Sequence, residues 1–151
     1  MSENEWIPQQ IADALLALEK YCVDSGKVWK EPRQGETIHI PLVSDDGSER
    51  FVLDIAAHKI ELSKQKMQTR ARKAIILARL EINGSPHTNP DGEGITGSHL
   101  HIYKEGYGDK FAISLAGTPF ESASNLNEYL EIFEDFCKII DKPNIQLGVF
   151  P

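Results

Sequence analysis

The chain is poor in cysteine: Cys22 and Cys137 are the two it carries in 151 residues. That argues against a disulfide framework and against a Cys-based zinc site. Both thiols fall in apolar helical patterns, where a free thiol acts as a small hydrophobe. Long apolar runs are missing as well. Stretches such as "AIIL" are far too short to cross a bilayer, and "MSENEW" lacks the basic, apolar, small-residue pattern of a signal peptide. No membrane partner is expected, and the cytoplasm is the expected location. An excess of positive charge is also absent. The formal net charge is -7, which argues against indiscriminate nucleic-acid binding through neutralised phosphates. There is no phosphate-cradling Gly-Lys-Ser/Thr loop, no nucleophile elbow and no Cys-x-x-Cys pair.

What is present suits one folded domain spanning 1–151, long enough to bury a core without metal or disulfide support. The charge is uneven. Lys59, Lys64, Lys66, Arg70, Arg72, Lys73 and Arg79 stand against Glu61 alone. Acids crowd the ends, with Glu3, Glu5, Asp13, Glu19 and Asp24 at one and Glu121, Glu128, Glu131, Glu134 and Asp135 at the other. A local anion-binding face centred on Arg70, Arg72 and Lys73 is therefore compatible with the acidic total, as is a solvated strand surface.

Periodicity predicts an N-terminal helix whose face is Ile7, Ile11, Ala14, Leu15, Leu18 and Tyr21, ending near "DSGK". "TIHIPLV" and "RFVLDIA" alternate around "SDDGSE" and predict a hairpin. Pro41 has no amide donor, which puts the first of these strands at an edge or gives it a bulge. "HKIELS" and "KAIILARLEI" are further strands. A helical reading of 64–80 is set aside because Thr69, Ile75, Ile76 and Ile82 are β-branched and Asn83-Gly84 follows. A long loop spans 83–98, and "HLHIYK" and "KFAISL" form a hairpin across "EGYGD". Leu126, Tyr129, Leu130, Phe133, Phe136, Cys137 and Ile140 define a C-terminal helix opened by Asn125 and Glu128 at capping-box spacing and followed by Pro143. "NIQLGVF" adds a final strand. The fold expected is α+β, an antiparallel sheet of five to seven strands flanked by the two helices.

The stretch from His87 to Leu115 concentrates three of the five histidines with a dense run of glycines. Alternation in a strand places His99, His101 and Tyr103 on one face, with Leu100 and Ile102 on the other. The hairpin returns Asp109 and Lys110 beside them, Lys104 and Tyr107 lie at its turn, and the loop carrying His87, Asn89 and Asp91 is placed to close over that face. Two chemistries fit. In one, His99 and His101 act as general base and acid on an RNA phosphodiester, with Lys104 or Lys110 stabilising charge and Tyr103 or Tyr107 stacking on a base. This needs no metal or other cofactor, and histidine suits it because its ordinary pKa lies near neutrality. In the other, His99 and His101 bind zinc, iron or nickel with His87, Asp91 or Glu105. The spacing His-x-His-x-x-x-Glu over 99–105 resembles the first motif of cupin barrels, with the upstream glycine one position out and no second motif downstream. Structural readings stand beside both. Asn89-Pro90-Asp91-Gly92 is a good turn by itself, and the tyrosines can be packing residues. His39 and His58 receive no role.

The words "ARLEI", "NGSPHTNPDG" and "GSHLHIYKEGYGDKFA" resemble a family of small bacterial and prophage proteins grouped as a domain of unknown function. The resemblance covers 78–115 and implies a phage or mobile-element setting, without transferring any catalytic residue. Two functions are expected. The leading one is a toxin-type, metal-independent RNA- or nucleotide-processing phosphodiesterase. The second is a non-enzymatic binding protein that sequesters a nucleotide or blocks a host or cognate protein, which the acidic helices favour.

Overall fold

A computed structural model of the chain describes residues 7–61 and 63–147. Glu3 and Glu5, and residues 148–150 of the expected last strand, lie outside the described residues. In chain order the strands are β1 (Lys20–Cys22), β2 (Val28–Lys30), β3 (Thr37–Ser44), β4 (Arg50–Ala57), β5 (Gln65–Ala71), β6 (Ile75–Ile82), β7 (His87–Thr88), β8 (Gly94–Ile95), β9 (His99–Ile102), β10 (Ala112–Ser114), β11 (Ile139–Asp141) and β12 (Asn144–Gln146). Helix α1 covers Gln9–Ala17 and α2 Leu126–Phe136. The main sheet has eight strands, more than the five to seven expected, in the order β10-β9-β6-β5-β4-β3-β1-β11. All its neighbours are antiparallel except β1 and β11. The ribbons β12-β2 and β7-β8 stand apart. The fold class is α+β. No helix among the described residues is long and apolar enough to cross a membrane.

Alternation gives the sheet two unlike faces. Cross-strand register aligns Ile40, Leu53, Thr69 and Ala78 in one row, with Ile38, Ile55, Met67, Leu80 and Leu100 in the next on the same side. The apolar residues of these rows pack into one core with Ala12 and Leu15 of α1 and Leu130 and Phe133 of α2. Both helices therefore serve the same apolar face, rather than flanking the sheet. The other face carries His39, Asp54, Gln68, Arg79 and His101 in another row. The strand reading of 64–82 holds, with a turn at Arg72 and Lys73 (φ 49° and 72°) joining β5 to β6. The described residues of "HKIELS", 58–61 and 63, form no strand. His58 Nδ1 accepts from the amides of Ile60 and Glu61, bending the chain into a connection.

Pro41 is not on an outermost strand. Its carbonyl accepts from Val23 just past the end of β1. In an antiparallel strand a residue's N and O point the same way, so the missing donor falls where the short β1 has run out. The C-terminal helix begins as read, with Asn125 Oδ1 accepting from the Glu128 amide at 2.9 Å.

Helix α1 ends well before "DSGK". Tyr21 belongs to β1, while Ile11 and Leu18 stay exposed. The reason is Lys20, which is fully buried. Its Nζ donates to the carbonyls of Leu16 (2.9 Å), Leu18 (2.8 Å) and Cys137 (2.8 Å). Leu16 lies in the last turn of α1, Leu18 caps it, and Cys137 caps α2. Helix C-termini leave carbonyls unpaired and carry partial negative charge. One ammonium thus closes two helices, with the Phe51 ring 4.6 Å away. Burial pulls its pKa down to about 8, still high enough to keep it charged at neutral pH. At its other end α1 is tied to the β9–β10 hairpin. Glu105 Oε1 accepts from the Gln9 amide at 2.7 Å, and Gln9 Oε1 accepts from the Glu105 amide at 2.9 Å.

Replacing the ammonium alone, by Lys20→Met, is expected to cost about 3 kcal/mol of unfolding free energy in urea, since three buried carbonyls lose a charged donor. A loss under about 0.5 kcal/mol, the range of an uninvolved surface site, would contradict the clamp. Glu134 on α2 is buried, and Oε2 has no hydrogen-bond partner among the described residues. Desolvation raises its pKa from 4.5 to about 7. A group with a raised folded pKa contributes stability below its unfolded value and loses that contribution as pH climbs through the folded one. Glu134→Gln should therefore stabilise the protein by about 2 kcal/mol at pH 8, the gain shrinking as pH falls from 7 towards 4.5. A gain independent of pH would refute this assignment.

Candidate functional site

The polar face holds two centres. The first lies at the β6–β9 end, where register sets Glu81 opposite His99 and Arg79 opposite His101. Glu81 Oε2 is 3.2 Å from His99 Nε2, and Arg79 Nε is 3.3 Å from Glu81 Oε1. Arg79 also pairs with Asp109 and places Nη2 3.4 Å from His101 Nε2. The expected roof forms: the β7–β8 ribbon brings His87 over the pair, with ring centroids 4.7 Å from His101 and 5.6 Å from His99. His99 and His101 are themselves 4.9 Å apart.

Each of these rings is held by a carbonyl. His99 Nδ1 donates to Gly97 O (2.9 Å), His101 Nδ1 to Asp109 O (2.8 Å) and His87 Nε2 to Lys110 O (2.8 Å). A carbonyl only accepts, so His99 Nδ1, His101 Nδ1 and His87 Nε2 each carry a proton. His99 and His101 are 0% and 1% exposed, which closes them to a macromolecular substrate. The open cleft expected around them is filled by their own roof. Burial, aided by the Arg79 guanidinium, lowers the His101 pKa to about 4. That ring is neutral near pH 7 and has no proton to offer as a general acid.

The other residues expected at this face are dispersed. Tyr103 is buried in the core, and its hydroxyl accepts from the Ile7 amide and donates to the Ile7 carbonyl at 2.8 Å. With Tyr107, Asp109 and Lys110 it lines a separate shallow recess of about 40 Å³. Lys104 Nζ sits 4.1 Å from the Phe111 ring centroid, and Tyr107 meets Phe111 edge-on. Asn89 is buried and pins the roof to β10, donating to Ala112 O (2.9 Å) and accepting from its amide (2.8 Å). Asp91 accepts from the Glu93 amide within the turn. Glu105 serves α1 rather than the histidines.

The basic stripe is partly neutralised. Arg72 pairs with Glu49 at 2.9 Å, Lys73 is an exposed turn residue, and Arg70 belongs to the second centre. That centre lies at the β3–β4–β5 part of the same face. Asp54, nearly buried, accepts from His39 Nδ1 (2.6 Å), Gln68 Nε2 (2.9 Å) and Arg70 Nε (2.7 Å). Burial pushes its carboxyl up, but the hydrogen bonds from Arg70, Gln68 and His39 outweigh that and leave it below the ordinary range. Thr37, His39, Asp54, Ala56, Lys66, Gln68 and Arg70 line an open recess of about 240 Å³. His39 and Asp54 were not singled out from sequence. The signal was there: once "SDDGSE" is a hairpin, its register sets them opposite each other.

Fold and site together define an α+β protein with a one-sided, mainly antiparallel sheet whose polar face carries a closed imidazole–carboxylate centre and an open one. The chain belongs to the family of unknown function DUF6978, whose model matches residues 7–140, well beyond the 78–115 block. No curated protein and no solved structure matches it.

Because Asn89 holds the roof by two buried hydrogen bonds, Asn89→Ala should cost about 1–3 kcal/mol and expose 83–98 to amide exchange and proteolysis. Unchanged protection of that segment would show that the roof does not rest on Asn89.

Proposed function

We propose that the chain is a metal-independent phosphodiesterase acting on RNA or nucleotides, with His39 as its base in place of the expected His99 and His101. One observation carries this reading. The His39 side chain is 60% exposed, yet its Nδ1 is fixed at 2.6 Å to a carboxylate that is only 6% exposed. A carboxylate behind an imidazole sets its tautomer and supports the imidazolium that forms on proton uptake. Nε2 has no hydrogen-bond partner among the described residues, so its lone pair serves the recess. Arg70 and Gln68 hold Asp54 in place. Lys66, exposed and without a hydrogen bond or ion pair among the described residues, is the cation left for a phosphate.

On an RNA strand, Nε2 takes the proton of a ribose 2'-hydroxyl and the 2'-oxygen attacks phosphorus. The bond to the 5'-oxygen breaks, that oxygen takes its proton from water in the open recess, and the hydroxide left behind takes back the proton held on Nε2. Lys66 lies beside the phosphoryl oxygens as their charge builds. In a phage or mobile-element setting, such an activity would act as a toxin.

The test is turnover of labelled RNA and of a dinucleotide substrate in chelator. Cleavage is expected, falling about a hundredfold or more in His39→Ala and at least about tenfold in Asp54→Asn. Intact substrate, or turnover unchanged in His39→Ala, would overturn the reading. Tight nucleotide binding without turnover would move the chain to the sequestering class.

A further inference from the structure

We propose that Glu81, His99 and His101 form a binding site for one divalent transition-metal ion of the zinc type, separate from the His39 centre. Their ligand atoms, one carboxylate oxygen and two imidazole nitrogens, all lie within 4.8 Å of one another. Around a tetrahedral zinc ion with bonds near 2.1 Å, donors sit roughly 3.4 Å apart. Inward rotation of the side chains covers the difference.

Three observations point to a ligand. First, the Nδ1–H groups of His99 and His101 are both given to backbone carbonyls, Gly97 and Asp109. This is the outer-shell arrangement that turns the Nε2 lone pair towards a metal. Second, His99 Nε2 is buried and makes no hydrogen bond among the described residues, although the carboxylate of Glu81 is 3.2 Å away. Third, the positive charge beside that carboxylate comes from Arg79, which also pairs with Asp109. The guanidinium can fall back on Asp109 when an ion takes the carboxylate. Imidazole and carboxylate together suit zinc, nickel or iron over the hard alkaline-earth ions. The fourth position goes to water or to His87, whose ring closes the cluster.

The consequence is mechanical. The ligands join β6 to β9, and their carbonyl partners belong to the roof and to the β9–β10 turn. Metal would lock 83–98 onto the sheet, whether or not the His39 recess is catalytic.

The experiment uses the full chain stripped with chelator and titrated with Zn²⁺ alone, read by calorimetry and native mass spectrometry. Co²⁺ absorption reports the coordination geometry. One ion per chain is expected. His101→Gln and Glu81→Gln should each raise Kd about a hundredfold and abolish the Co²⁺ band. Arg79→Met, which removes the competing cation, should tighten binding about tenfold. Circular dichroism verifies that each variant is folded, and the fully buried His99 is left unaltered for that reason. No stoichiometric Zn²⁺ in wild type and Arg79→Met, or equal Kd in wild type, His101→Gln and Glu81→Gln, would overturn the proposal.

Discussion

Strict alternation across β3, β4, β5, β6 and β9 is the constraint from which everything else follows. A register slip of one residue between any two of these strands would put Leu53, Met67 or Leu80 in water and drive Asp54, Gln68 or Arg79 into the core. The apolar face is covered by α1 and α2, and among the described residues no α-helix covers the polar face. At its β3–β5 end that face stays open, with His39 in solvent over a buried Asp54. At its β9 end it carries imidazoles that must either be wet or be matched. The chain matches them: the loop 83–98 roofs the rings, and the carbonyls of Gly97 in that loop and of Asp109 and Lys110 in the β9–β10 turn take one imidazole proton each.

Two cations organise the molecule in different ways, Lys20 fully buried and Arg79 partly exposed. Lys20 satisfies backbone carbonyls at two helix ends and has no carboxylate partner among its hydrogen bonds. Arg79 balances Glu81 and Asp109 beside three histidines. Backbone carbonyls cannot be removed by mutation or moved far, so the first arrangement is architectural. Side-chain carboxylates can exchange one cation for another, and that makes the second a place for chemistry or for an ion.

Much of this was legible beforehand, and the failures have physical causes. The β3–β4 hairpin, the capped start of α2 and the extended state of 65–82 follow from local chemistry: turn residues, an Asn-x-x-Glu box and β-branching. The end of α1 was not legible, because a lysine normally marks solvent and Lys20 is drawn inward by carbonyls that exist only once both helices are in place. The clustering of His87, His99 and His101 was readable from alternation and loop position. Their burial was not, since it depends on Asn89 meeting Ala112 across the fold. Tyr103 and Glu105 fit the pattern of a site and are used instead to hold residues 7–9. Glu81, Asp54 and His39 needed strand register, which hydrophobic patterning supplies for hairpins and not for β6 against β9.

The central claim is that the imidazoles of the polar face are oriented, each giving one N–H to a fixed acceptor. Long-range ¹⁵N–¹H correlation at a pH where the rings are neutral reads all five histidines in one spectrum. The structure predicts the Nδ1–H tautomer for His39, His99 and His101, and the Nε2–H tautomer for His87 and His58. Averaged tautomers at His39, or Nε2–H at His99 and His101, would contradict it.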